Sequence, residues 1–306
     1  MLHLNHLFPQ MKPYEVVSCV KLNHWEDVQR LPELFNGWLF RGQRDQRWSL
    51  QSTLERACER LRPDVTIAEV ERDVLRTFQG RASEFCQACP GAEDALEWFS
   101  LLQHHGGPTR LLDFSESVYV AAFFALGEAE GDSAIWAMNN IMIHVAQVKQ
   151  WMALHPERLK DEVLRITLPS FNDVYHERVV WNGHGAGISR PIRRTGRIDY
   201  QSGVFVHSLN MKYSLEENLY GMHGAAAEQC RQNIRAGYHT SIEHPRTIER
   251  LKQLRVVKFI LPQSIRREGL RELRKMGIDY TGLFRDLDGF ARAMGHEVYD
   301  LTTDPE

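Results

Sequence analysis

The sequence lacks an excess of either charge and any long apolar run. Its 306 residues carry 37 basic and 40 acidic side chains, a formal net charge of −3, whereas a general coat for nucleic acid needs a basic excess. The composition therefore leaves room only for a local basic patch. The longest apolar stretch, Val118 to Leu126, is far too short to span a bilayer, and the N-terminus lacks the basic start and apolar run of a signal peptide. We expect a soluble, cytoplasmic protein without a membrane segment.

Cysteine is scarce and odd in number. The five cysteines cannot all pair, and a chain of this size does not need a disulfide framework. Cys86 and Cys89 form one CxxC, but no second CxxC or CxxH pair follows, and a zinc site takes four ligands. We therefore predict ordinary thiols on a helix face and no metal site.

Repeats, low-complexity tracts and a linker between two halves are absent as well. The chain is 43% hydrophobic and 25% charged, so it can bury a sizeable core. We predict one elaborated domain over residues 1–306, with its motifs in a core at about 30–295. Residues 169–203 are rich in turn-forming residues, which predicts a binding loop or lid.

Hydrophobic periodicity predicts both helices and strands. Alternating or β-branched runs predict strands at residues 14–22, 38–42, 133–138, 144–148, 203–206 and 254–261. Helical spacing of apolar residues predicts helices at residues 25–34, 66–86, 94–104, 118–130, 264–276 and 288–294. The fold class that we predict is α+β.

The first segment that carries chemistry is Phe40-Arg41-Gly42-Gln43, at the end of an early strand. An arginine rarely sits in an apolar strand without a partner, and its planar fork suits a carboxylate or a phosphate. Gly42 lets another backbone or a ligand come close. Two interpretations stay open: a ligand-binding arginine, or a structural one bonded to a buried acid or to loop carbonyls.

The second segment runs from Gln103 to Asp113, with the sequence QHHGGPTRLLD. The Gly106-Gly107-Pro108 turn ends the preceding helix. Gln103 and His104, at the end of that helix, therefore lie next to the turn. A histidine exchanges protons near neutral pH, and an aspartate can hold it in one tautomer. The segment therefore predicts a polar site. In the alternative interpretation it is a self-satisfied loop, in which Asp113 caps the next helix and pairs with Arg110.

Two further segments are weaker candidates. Four arginines lie within eight residues at Arg190, Arg193, Arg194 and Arg197, and such a patch could bind a pyrophosphate or a nucleic-acid backbone or be a solvated loop. Gln201 precedes a strand and could point into the same site as Arg41. Residues 283–289, LFRDLDG, are interpreted mainly as a helix cap, with Asp286 as the capping residue and Asp288 reinforcing the helix dipole.

Together these segments resemble the FRG domain family, whose name comes from the Phe-Arg-Gly seen at residues 40–42. The run from Gln103 to Asp113 resembles the second signature of the family. The alanine- and phenylalanine-rich helix after it, QSGVF at residues 201–205 and LFRDLDG are also similar. His105, Phe114 and Arg285 depart from the pattern, where an aromatic residue, a tryptophan and a proline are usual. Members are typically bacterial or phage-borne and often look like parts of defence or conflict systems.

A more distant resemblance is to ADP-ribosyltransferases, in which three separate segments surround NAD. It implies a mixed, mainly antiparallel and split β core with surrounding helices. It also implies that Arg41 binds the NAD phosphates or ribose and that the His104–Thr109 segment holds the nicotinamide ribose. Gln201 would then be the polar residue of the third segment, late in the chain. A glutamate is usual there, and a neutral amide stabilises developing positive charge poorly. The missing acid would then be Asp113, Glu177 or Asp199.

Two hypotheses of function follow. In the first, the protein is an ADP-ribosyltransferase or NAD glycohydrolase, with NAD as substrate rather than cofactor. Its catalytic residues are Arg41, His104, Asp113 and Gln201, and its ligand contacts are Gly42, Gln43, Gln103, Gly106, Thr109, Arg110, Arg194 and Arg197. In the second, it is a non-catalytic module that recognises a nucleotide, a nucleic acid or a protein. A nuclease using His104 and His105 is disfavoured, because adjacent residues of a helix project about 100° apart.

Overall fold

The computed structural model describes residues 16–59, 64–86, 88–154, 168–191, 200–235, 242, 245–287 and 289–295. Its strands are β1 (Val17–Lys21), β2 (Trp38–Gln43), β3 (Leu112–Ser115), β4 (Ser133–Asn139), β5 (Ala186–Ser189), β6 (Gly203–Ser208) and β7 (Val256–Leu261). They form one sheet in the order β1-β7-β4-β2-β3-β6-β5. The β1–β7 pair is parallel and the other pairs are antiparallel. The α+β class with a mixed, mainly antiparallel sheet is confirmed.

The helices of the first half are α1 (Trp25–Leu34), α2 (Thr53–Ala57), α3 (Ile67–Ala82), α4 (Ala95–His104), α5 (Val118–Leu126) and α6 (Asn140–Leu154). Those of the second half are α7 (Phe171–Tyr175), α8 (Leu215–Gly221), α9 (Ala227–Arg235), α10 (Pro245–Gln253), α11 (Arg266–Lys275) and α12 (Tyr280–Phe284). A single 3₁₀ turn, Gln263–Ile265, precedes α11. In the part of the chain that is described, no helix is long and apolar enough to cross a membrane.

Both faces of the sheet are covered. On one face α1, α5, α11 and α12 contribute to an apolar core around Trp25, Phe35 and Phe259. On the other face α6 and α8 pack on Leu39, Trp136 and Met138. A third cluster joins α3, α4 and α7 to Phe205 of β6.

The sheet is held together between β2 and β3 by a single residue pair. Every residue of β2 pairs with β4, whereas β2 and β3 pair only at Phe40 and Ser115. From that point the two strands diverge, so that the sheet divides into a four-stranded and a three-stranded group. The end of β2, which carries Arg41, therefore has open space on its β3 side.

One predicted strand is wrong. Residues 144–148 belong to α6, in which the buried positions Ile143, Ala146, Gln147 and Trp151 recur at helical spacing. Apolar and polar residues alternate within that short run, as in a strand. The buried residues before and after it, however, lie on one face of a helix. Other elements were missed. The strand β3 lies inside the second polar segment, and the described part of residues 169–203 contains α7 and β5. The helices α2, α8, α9, α10 and α12 were not predicted either.

Candidate functional site

A cavity of about 870 Å³ opens where β2 and β3 diverge. Its walls come from the end of β2, the segment at residues 44–56, the end of α4, β3, α5, the start of β6 and α12. The structure brings Arg41, His104, Asp113 and Gln201 together on these walls. Three remote parts of the sequence thus converge on one hollow.

Arg41 combines a structural and an open side. Its Nη1 donates to the main-chain oxygen of Asp113 at 2.7 Å, while its Nε is buried and has no hydrogen-bond partner. Burial lowers the pKa of Arg41; the nearby Asp113 opposes this effect, and the charge of Arg56 adds to it. The interpretation of Arg41 as a structural residue bonded to a main-chain carbonyl therefore accounts for one N–H of this guanidinium and leaves its Nε without a partner.

Asp113 lies on β3 with its side chain facing the cavity. Its Oδ1 accepts from Gln103 Nε2 at 2.7 Å, and the amide oxygen of Gln103 accepts from the Thr109 hydroxyl. The carboxylate is reached by solvent through the cavity, yet it lies deep among protein atoms. That depth raises the pKa of Asp113, and the Arg41 charge and the Gln103 hydrogen bond offset part of the increase.

One expectation for Asp113 is corrected by these bonds. Gln103 is bonded to its carboxylate. Asp113 does not cap the next helix, since the Ser117 side chain accepts from Val120 N at the start of α5. His104 is the last residue of α4, and its ring stands edge-on to that of His105 with centroids 4.9 Å apart.

Arg110 does not line the cavity, and its predicted phosphate contact is wrong. The side chain is buried, with 7% exposure. Its Nε and Nη2 donate to the Glu71 carboxylate, Nε at 2.6 Å, and the guanidinium lies 5.6 Å from the Phe171 ring centroid. This bidentate ion pair between Arg110 and Glu71 attaches α3 to the start of β3. The Arg110 charge is therefore neutralised by Glu71 and does not face the cavity.

The other predicted ligand contacts hold the walls in place. Thr109 is fully buried and bonds Gln103. Gln43 donates to Ser49 O at 2.9 Å and accepts from Trp136 Nε1 at 2.7 Å. A Cβ on Gly42 would lie 1.9 Å from Ala121 O, so the backbone that comes close to this glycine is that of α5. Gly106 lines an adjoining hollow together with His105 and Asp286.

Gln201 reaches the cavity from the turn before β6. Its Nε2 lies 3.4 Å from Leu283 O, a long hydrogen bond, and its main-chain oxygen accepts from the Ser115 hydroxyl at 2.7 Å. Of the basic patch, Arg190 pairs with Glu116. Arg193, Arg194, Arg197 and Asp199 lie outside the described residues.

Sequence reasoning missed a cationic segment and an aromatic wall. Arg44, Arg47, Trp48 and Arg56 follow the Phe-Arg-Gly motif and line the cavity; the spacing of three residues from Arg41 to Arg44 and Arg47 was the available signal. The aromatic residues Phe123, Phe124, Tyr280 and Phe284 form another part of the wall. No local pattern could join these rings, because they come from two helices that are distant in the chain.

The cationic segment is held from behind by Lys258, which is only 3% exposed. Its Nζ donates to the main-chain oxygens of Gln46 and Trp48 and lies 4.5 Å from the Trp136 ring centroid. Burial lowers the pKa of Lys258 to about 8. This lysine therefore supports the wall and does not itself line the cavity.

The charge of the cavity is positive overall. Five arginines and two carboxylates, Asp113 and Glu128, line it. Glu128 is bonded to Arg44 at 2.9 Å and accepts from the Tyr280 hydroxyl at 3.1 Å. Within the described ranges, no group of three or more His, Cys, Asp or Glu side chains is arranged to hold a metal ion. The chemistry of this lining is compatible with an anion that has a planar or apolar part.

Residues 36–133 match the FRG domain. This FRG region contains β2, α2 to α5 and β3, and so supplies Arg41, His104 and Asp113. Gln201, Tyr280 and Phe284, which complete the cavity, come from the chain beyond it. Searches of curated proteins and of solved structures returned no match.

Proposed function

We propose that the cavity binds a nucleotide such as NAD and that the protein breaks its nicotinamide–ribose bond, as an ADP-ribosyltransferase or an NAD glycohydrolase. The observation that carries the proposal is the convergence of Arg41, His104, Asp113 and Gln201 in one cavity of about 870 Å³. Arginines suit the phosphates and the aromatic wall suits a base or a nicotinamide ring. Because FRG proteins often resemble parts of defence systems, we place this activity in a bacterial defence or toxin system.

We assign the role of the acid to Asp113, because its carboxylate lines the cavity. Of the other candidates, Glu177 pairs with Arg72 at 2.9 Å and does not line the cavity; Asp199 lies outside the described residues and is not compared. When the glycosidic bond breaks, its electron pair leaves with nicotinamide and positive charge develops at the ribose C1′. The Asp113 carboxylate stabilises that charge, since a preorganised charge in a partly dry site is effective there.

The remaining groups complete the reaction. Water or an acceptor hydroxyl forms the new bond to C1′, and the proton that it loses passes to the His104 imidazole or to solvent. Gln201, with a neutral amide, is suited to hold a ribose hydroxyl. Arg41 binds phosphate through the part of its guanidinium that Asp113 O does not use.

The proposal is tested by nicotinamide release from NAD and by a labelled adduct on added protein or nucleic acid. Asp113→Asn keeps the shape but removes the charge, so we expect turnover to fall about 100-fold or more while NAD still binds. Arg41→Ala and His104→Ala should also abolish turnover. Asp73→Asn, which changes an exposed residue of α3 paired with Arg76, is the matched control. No NAD loss or adduct with the wild type, or full turnover in Asp113→Asn, would contradict the proposal.

A second candidate is a binding module without catalysis. It is favoured by the neutral Gln201 at the late position and by the Gln103 bond to the Asp113 carboxylate. NAD or ADP-ribose would then bind without turnover, and calorimetry alongside the release assay separates the two. If nucleic acid is the ligand, affinity should fall steeply with salt and in Arg193→Ala/Arg194→Ala.

A further inference from the structure

Arg56, at the end of the cationic segment, faces the same cavity as Arg41. We infer that Arg41 and Arg56 form a two-arginine clamp for a phosphate or pyrophosphate group, which makes Arg56 the second phosphate-binding residue of the site. The inference rests on the nucleotide-binding part of the proposed function and adds which side chains select a phosphorylated ligand.

The two guanidiniums share an unusual set of partners. Each gives an N–H to a main-chain oxygen, Arg41 to Asp113 at 2.7 Å and Arg56 to Gln51 at 2.6 Å. Across the described residues, neither has a carboxylate within 4.0 Å. By contrast, Arg44 and Arg47 on the same segment are paired with Glu128 and Asp45. Positive charge without a direct ion-pair partner is therefore concentrated at Arg41 and Arg56, and the more distant Asp113 charge offsets part of that of Arg41.

Repulsion between the positive charges of Arg41 and Arg56 favours the binding of an anion between them. Arg56 is close enough for its charge to add to the burial that lowers the pKa of Arg41. A phosphate placed between two such cations replaces a repulsion by two charge-assisted contacts. The Arg41 Nε, buried without a partner, also gains an acceptor in that arrangement. A neutral ligand can offer an acceptor too, but it does not offset the repulsion between the two cations.

Both arms of the clamp are fixed before any ligand arrives. Arg41 lies on β2, which pairs with β4 along its whole length. Arg56 lies on α2, whose Ser52–Glu55 capping box is complete. Glu55 also accepts from Leu215 N at 2.7 Å, and Leu54 N donates to Thr109 O at 3.1 Å. The first of these bonds ties α2 to α8 and the second ties it to the segment between α4 and β3, so that little ordering of the backbone remains for binding.

The test is calorimetric titration with ADP, adenosine and inorganic pyrophosphate. We expect the wild type to bind ADP and pyrophosphate and to bind adenosine much more weakly. Arg56→Ala should weaken ADP and pyrophosphate about 10- to 100-fold, the range for a charge-assisted contact, and leave adenosine unchanged. Arg56→Lys should restore part of the loss. Arg76→Ala, an exposed arginine of α3 that is paired with Asp73 and does not line the cavity, is the matched control and should change ADP affinity less than about twofold.

The outcomes separate the clamp from the catalytic proposal. Pyrophosphate binding that is lost in Arg56→Ala establishes the clamp whether or not NAD is consumed. The clamp is overturned if the wild type binds neither ADP nor pyrophosphate, or if Arg56→Ala leaves both affinities unchanged. It is also overturned if Arg56→Ala weakens adenosine as much as ADP. Since Arg56 is exposed, the variants should fold, and their thermal midpoints check this directly.

Discussion

At the scale of the residue, Gly42 shows why a motif glycine beside the proposed phosphate-binding arginine can be structural. Its Cβ position lies 1.9 Å from Ala121 O and 2.5 Å from Ala125 N, so α5 packs directly against the backbone of β2. That close approach places Val120, Ala121 and Phe124 on the cavity wall next to Arg41. The glycine thereby shapes the site without contacting a ligand through a side chain of its own.

Gly42→Ala should destabilise the fold severely. A methyl group there must displace helix backbone rather than a flexible side chain, and we expect a loss of about 3 kcal/mol or more, or failure to fold. Gly80→Ala is the control, since Gly80 is exposed within α3 and its Cβ position is open. It should raise the free energy of unfolding by up to about 1 kcal/mol. Equal urea midpoints for the two variants would refute this account of Gly42.

At the scale of the element, α3 is joined to the second polar segment by one buried ion pair. Glu71 and Arg110 have side-chain exposures of 1% and 8%. The pair lies beside Thr109, which bonds Gln103, which in turn bonds Asp113. Helix docking and the position of the proposed acid are thus connected through consecutive residues of one turn.

Glu71→Gln should be strongly destabilising. It leaves the Arg110 charge buried without a counter-ion, which typically costs about 3–5 kcal/mol. Asp73→Asn, two residues along the same helix, alters an exposed pair and should cost less than about 0.5 kcal/mol. Urea unfolding of both variants measures the difference. A Glu71→Gln midpoint like that of Asp73→Asn would mean that the ion pair does not hold α3.

Local patterns predicted most elements but not all. Caps and apolar spacing located α3, α4 and α5 to within a few residues. At residues 144–148 the short alternating run was compatible with a strand, and only packing against β5, β2 and β4 shows the helix. The strand β3 was hidden because its partners, β2 and β6, lie far away in sequence.

At the scale of the whole molecule, buried histidines make stability depend on pH. His207 on β6 is 2% exposed. Burial, reinforced by the charge of Arg110, lowers its pKa to about 3. The ordinary pKa of histidine is about 6.5, so between these values the unfolded chain binds a proton that the folded protein does not. Stability is therefore lost as the pH falls from about 6.5 towards 3.

The effect can be isolated by comparing variants in urea at pH 7 and pH 4. The wild type should lose up to about 1.4 kcal/mol per pH unit from His207 in this window. His207→Gln is less stable at pH 7 because it disturbs the contact with Ser189, but the gap to the wild type should narrow at pH 4. His105→Gln, at an exposed histidine, should leave the pH dependence unchanged. A gap that stays constant would rule out His207 as a source of acid sensitivity.

The amino-acid sequence by itself determined the α+β class, the positions of most strands and of several helices, and the polar segments that meet at the cavity, because capping and periodicity depend on neighbours in the chain. Only the tertiary structure decided that Arg41, His104, Asp113 and Gln201 share a cavity, that Arg110 turns away to Glu71, and that Arg56 and the rings of α5 and α12 join the site. The physical reason is that the direction of a side chain follows from strand register and helix packing, which are set by contacts between residues distant in sequence.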